Sequence, residues 1–153
     1  MEDLSTIAYG FVDDVFVIIH RADAIDDRDW SMCLSEARIA RELPCILVVP
    51  GKTPPNVSQR YDLCALNERQ ELPMKIALLS GDSTGQRVAT ALKWGGVESV
   101  CFEEADLDGV LSFLDRPGCR ARMSSALGPY LDRSWLLEAT PQVLRQSAFA
   151  TQV

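Results

Sequence analysis

Histidine is nearly absent from this chain: His20 is the only one in 153 residues. No HExxH run and no CxxC pair occurs, so a metalloenzyme has no residue set to rest on. The five cysteines, Cys33, Cys45, Cys64, Cys101 and Cys119, are unpaired in spacing and mostly fall in apolar runs. Free cysteine there behaves as a small hydrophobe. An odd count without a secretion signal points to a reducing, cytoplasmic compartment. Long apolar runs are missing too. None approaches the roughly 20 residues of a membrane helix, and an acidic rather than basic start speaks against a signal peptide. Basic charge is scarce, with 15 Lys and Arg against 22 Asp and Glu and a net charge of −7. Phosphate-rich partners call for clustered Lys and Arg, and the densest basic run, Arg116 to Arg122, is short. Nucleic acid and anionic membranes are therefore set aside as partners.

What is present is an alternation of apolar runs and amphipathic segments. Ile7–Phe11 and Val15–Ile19 read as two strands around an acidic turn, an antiparallel hairpin. The second, VFVII, is apolar throughout, as expected of a strand covered on both faces. Asp26 or Asp27 is placed to cap a helix carrying Trp30, Cys33, Leu34, Ala37 and Ala40, and Pro44 is expected to close it. CILVV (45–49) is the next buried strand, followed by the loop Pro50–Asn56. Asn56 or Ser58 caps a second helix with Val57, Tyr61, Cys64 and Glu68 on successive turns. Lys75–Leu79 is a further strand. A helix from about Gln86 to Trp94 buries Val88, Ala91 and Leu92 and stops at Gly95-Gly96. Val100–Phe102 is a short strand, and Leu107, Val110, Leu111 and Leu114 stripe a last helix.

The expected order is β-β-α-β-α-β-α-β-α. It forms a mixed, mostly parallel central sheet opened by an antiparallel hairpin, with helices crossing between the parallel strands. Residues 1–115 form this α/β domain. Residues 116–153 read as a helical extension, with pieces near Arg120–Leu127 and Pro141–Phe149. Its apolar content from Leu131 onward calls for packing on the domain, as a lid over the sheet edge, or on a partner, including a second copy of the chain.

Four features deserve a choice between two readings. Ser80-Gly81-Asp82-Ser83-Thr84-Gly85 joins a strand to a helix, where backbone N–H groups cradle anions; the same residues serve ordinary capping. It lacks P-loop and dinucleotide-turn spacing. Asp23, Asp26, Asp27 and Asp29 lack the glycine and distal glutamate of a calcium loop and read as capping and solvation. His20 reads as an edge or capping histidine or as a proton shuttle; the second needs a nucleophile or carboxylate beside it, and Asp23 and Asp26 are close in sequence without a direction that sequence fixes, so the first is preferred. Trp94 is either a core residue or a partner anchor. No metal or cofactor is called for.

In order of elements, residues Ile7 to Leu114 resemble bacterial anti-sigma-factor antagonists of the STAS-like class, the SpoIIAA-like fold. The resemblance rests on the opening hairpin, CILVV leading to the helix start at Asn56-Val57-Ser58, KIALLS, a helix ending in glycine, and a short strand ending in Phe102. It implies a non-catalytic regulatory module that docks a protein partner. It also implies control by phosphorylation of a serine at a helix start, for which Ser58 is the nearest residue. Where that family carries Asp-Ser/Thr-Ser-Gly, this chain has Pro54-Pro55-Asn56-Val57-Ser58-Gln59. The partner face is expected around Asn56, Ser58 and Tyr61, beside Ser80–Gly85. A small-ligand module, binding a nucleotide or lipid at the Ser80–Gly85 turn, is the alternative, because open α/β sheets bind ligands beyond the carboxyl ends of their strands.

Overall fold

Val15–His20 is buried at every position, because it lies inside a six-stranded sheet with helices on both faces. The computed structural model describes residues 1–51 and 53–131. Its strands are β1 (Glu2–Asp3), β2 (Ile7–Val12), β3 (Val15–His20), β4 (Cys45–Val49), β5 (Lys75–Leu79) and β6 (Glu98–Phe102). Its helices are α1 (Asp27–Ile39), α2 (Val57–Glu68), α3 (Ser83–Trp94), α4 (Leu107–Phe113) and α5 (Arg120–Leu127), with a 3₁₀ turn at Pro117–Cys119. The strands lie in chain order across the sheet. β1, β2 and β3 pair antiparallel, and β3 to β6 pair parallel. The mixed α/β architecture is therefore the one the sequence predicts.

Alternation along the strands sorts the core into two layers. Phe16, Ile18, Ile46, Val48, Ile76 and Leu78 meet α1, α2 and α3 through Trp30, Leu34, Leu63, Leu66, Val88 and Leu92. Val15, Val17, Leu47, Ala77 and Leu79 face the other way, onto Leu107, Val110, Leu111, Cys119, Met123 and Leu127. Three successive crossovers of one hand place α1, α2 and α3 on a single face. The chain then passes under the sheet after β6, and α4 and α5 cover the second face.

Several boundaries differ from the sequence expectation. β1 was not anticipated, since two acidic residues carry no strand period. Its pairing with Tyr9 and Ala8 is supported by an ion pair from Asp3 to Arg21. α1 stops at Ile39, short of Pro44, because the chain must turn inward to bury Leu43, whose N–H donates to Gln70 Oε1 at 3.0 Å. Val57 and Tyr61 mark the outer face of α2; Gln59, Leu63 and Leu66 are its buried side. α3 begins three residues earlier than expected and buries Ala89 rather than Ala91. It ends where Gly96 takes φ of 90°, a left-handed conformation that favours glycine. The expected helix at Pro141–Phe149 lies outside the described residues.

Candidate functional site at the carboxyl edge of the sheet

β4 and β5 are parallel neighbours, and each feeds a helix on the same face. The starts of α2 and α3 therefore lie side by side at the carboxyl edge. The structure thus brings together Asn56, Ser58 and Tyr61 with the Ser80–Gly85 turn.

The α2 start is rigid. Asn56, not Ser58, is the N-cap: its Oδ1 accepts from the Gln59 N–H at 2.8 Å, and its own N–H donates to Gln59 Oε1 at 3.0 Å. This reciprocal capping box satisfies two otherwise unpaired donors and holds the buried Gln59 side chain in place. Arg60 Nη1 donates to the Pro55 carbonyl at 2.8 Å, closing the loop from below. Ser58 is exposed in the first turn, which contains no acidic residue. Val57 and Tyr61, one turn apart, are 71% and 76% exposed.

The α3 start is already occupied by a carboxylate. Asp82 Oδ1 accepts from the Thr84 N–H at 2.9 Å, and that bond, with others from Thr84, Gly85 and Ser80, holds the exposed carboxyl below its ordinary range. A Cβ on Gly81 would lie 3.1 Å from the Glu104 side chain, so a second carboxyl group packs over the turn. Gly85 sits within the helix because the backbone passes closely there: a Cβ would come 2.6 Å from Cys101 Sγ and from Ser80 Cβ. The Thr84 N–H is thus taken by Asp82, and the Glu104 carboxyl lies beside Gly81. A phosphate would meet both charge repulsion and a competing acceptor.

No family model, curated protein or solved structure matches this chain.

His20 ends β3 near the same edge but is 8% exposed. Burial lowers its pKa to about 4 against the raising effect of the Thr53 backbone, so the ring is neutral at physiological pH. Its Nε2 has no hydrogen-bond partner among the described residues. The aspartates after β3 act structurally. Asp26 accepts from the Arg28 N–H at 2.8 Å as N-cap of α1, and Asp29 accepts from Thr6 Oγ1 at 2.6 Å. Among the described residues no group of three potential metal ligands occurs. Burial pushes the Cys45 thiol up to about 11 and the Cys33 thiol higher still, removing both as nucleophiles. Of the tryptophans, Trp30 is core, whereas Trp94 is 88% exposed.

Sequence reasoning placed the start of α2 at Asn56 or Ser58 but that of α3 three residues late, and it missed Gln59 as the partner of Asn56. The Asn-x-x-Gln spacing before an apolar run was the available signal. Glu104 over Gly81 had no signal, since 23 residues and a strand separate them.

Proposed function

We propose that this domain is a non-catalytic regulatory module of STAS-like type that docks a protein partner through the starts of α2 and α3. The observation carrying it is the exposed pair Val57 and Tyr61 set directly on a rigid capping box. A tyrosine fixed at the start of an ordered helix loses little conformational entropy on binding, and such aromatics serve as interface anchors. Ser58 lies between them, exposed, on a helix turn free of other negative charge. A phosphate there would add a charge of about −1.5 to −2 at the positive end of the helix and in the middle of the docking patch. It would be tolerated by the fold and felt by the partner. Five free thiols and a polar surface fit a cytoplasmic setting, and no helix among the described residues is long and apolar enough to cross a membrane.

A nucleotide or lipid at Ser80–Gly85 has less support, because Asp82 and Glu104 already hold the turn. Photocrosslinking in the native cell tests the proposal. A benzophenone side chain at Tyr61 should give one discrete protein adduct, and the same group at exposed Met32 should not. Ser58→Asp should suppress that adduct while Ser58→Ala leaves it. Equal adducts from both Ser58 variants would remove the phosphoswitch, and no adduct from Tyr61 would remove the docking face.

A further inference from the structure

Described residues already fill both faces of the sheet: α1, α2 and α3 cover one, α4 and α5 the other. Residues 132–153 lie outside them and carry Trp135, Leu136, Leu137, Val143, Leu144 and Phe149. So much apolar surface calls for cover, and the two core layers are complete without it. Asp132 and Glu138 balance Arg133 and Arg145, so the segment is neutral. The net charge of −7 therefore resides on the rest of the chain and does not repel it.

The place where this segment begins narrows what it can reach. Tyr130 and Leu131 pack against the second-face core, and the Arg21 guanidinium lies 5.6 Å from the centre of the Tyr130 ring. Arg21 directly follows β3, so the chain arrives at residue 132 at the carboxyl end of the sheet. The starts of α2 and α3 stand at that same end, on the other face. Crossing two packed layers of about 10 Å each takes about 20 Å. The six residues after Leu131 span about that distance when extended, which brings Trp135, Leu136 and Leu137 within reach of Val57 and Tyr61. The other exposed apolar group, Ile39, Leu72 and Trp94, lies at the amino end, a further strand length of about 17 Å away. The cleft at that end is polar, with Glu42 and Glu71 standing among Arg41 and Arg69.

We propose that Trp135, Leu136 and Leu137 bind back onto Val57 and Tyr61, so that the chain's own carboxyl-terminal segment competes with the partner for the docking face. The inference rests on the docking face proposed above and adds its regulation. A short tether holds the segment at a local concentration on the order of millimolar. A partner then meets only the fraction of chains whose face is free, and its apparent affinity falls by that fraction. Large apolar side chains set against a rigid aromatic are the ordinary composition of such a contact.

Photocrosslinking of the purified full chain tests it, with ordinary and heavy-isotope-labelled protein mixed in equal amounts. A benzophenone side chain at Tyr61 should capture the tryptic peptide of residues 134–145, which follows Arg133 and ends at Arg145, and each adduct should be of one isotope. The same probe at Leu72 should not capture it. The triple variant Trp135→Ser/Leu136→Ser/Leu137→Ser should cut the adduct about tenfold. In the native cell that variant should raise the partner adduct of Tyr61 by about threefold or more. Circular dichroism confirms that each variant keeps its fold. No adduct to the segment, an equal adduct from Leu72, or a partner adduct that the triple variant leaves unchanged would overturn the proposal. Adducts of mixed isotope would overturn it too, by making a second copy the occupant. A missing internal adduct beside an intact cellular one removes this contact and leaves the docking face; the reverse supports the contact and removes the docking face.

Discussion

The Trp30 indole N–H donates to the Asp62 carboxylate at 2.8 Å, tying α1 to α2 across the top of the core layer. Trp30 is buried, so this bond satisfies a donor that water does not reach. It also fixes the rotation of α2, and with it the outward aim of Val57 and Tyr61. Asp62→Ala is expected to cost about 1–3 kcal/mol, because the buried indole N–H loses its charged acceptor. Asp62→Asn, which keeps an acceptor, should lose less. Urea denaturation measures both; a cost below about 0.5 kcal/mol for Asp62→Ala would show that the bond does not hold the helices together.

His20 sets a pH window. Its folded-state pKa of about 4 lies below the ordinary 6.5 of an unfolded chain. Between those values the unfolded chain binds a proton that the folded protein rejects, so stability rises with pH through the window and is complete above about 6.5. As pH falls to about 4, some 3 kcal/mol should be lost. The depressed carboxyls of Asp14 and Asp82 titrate below their ordinary 3.8, so they act in a lower range. Since His20 is the only histidine, His20→Gln should flatten the profile between pH 4 and 6.5. Parallel profiles for the two proteins would contradict the assignment.

Gly85→Ala reverses the usual helix rule. On propensity alone, alanine in a helix gains about 1 kcal/mol over glycine. Here the added methyl meets Cys101 Sγ and Ser80 Cβ at 2.6 Å, and overpacking of that kind costs about 1–3 kcal/mol. Thermal melts should therefore show a loss, partly recovered in Gly85→Ala/Cys101→Ala. A more stable Gly85→Ala single variant would mean the close approach is easily relieved.

Asn56→Ala should destabilise by about 1 kcal/mol, the ordinary worth of an N-cap. Because it also strips the buried Gln59 of its partner, hydrogen exchange in the first turn of α2 should rise well above that elsewhere in the helix. Ser58→Asp should move stability the other way by about 0.3–1 kcal/mol, through the helix dipole. Uniform exchange along α2 in Asn56→Ala would show that the box does not order the docking turn.

The parallel strands were legible because CILVV and KIALL are apolar at successive positions, a pattern that only a doubly covered strand tolerates. The cap of α1 and the end of α3 were legible because Asp26 and Gly95-Gly96 act on their own neighbours. Which side of α2 packs inward was not legible, for a physical reason. Val57, Tyr61 and Cys64 look like a core stripe, and only packing against α1 and the sheet reveals that Leu63 and Leu66 occupy the inside. The start of α3 was placed late because two small residues and a glycine imitate a loop.

Local chemistry in the chain was enough to determine the run of strands and helices and the helix caps, since each depends on residues a few positions apart. Tertiary structure alone decided that α1, α2 and α3 share one face while α4 and α5 take the other. It alone set the Glu104 carboxyl beside Gly81 and brought Arg41 and Arg69, far apart in sequence, onto one cleft. Those relationships arise from crossovers and sheet register, which act over distances that no run of neighbouring residues encodes.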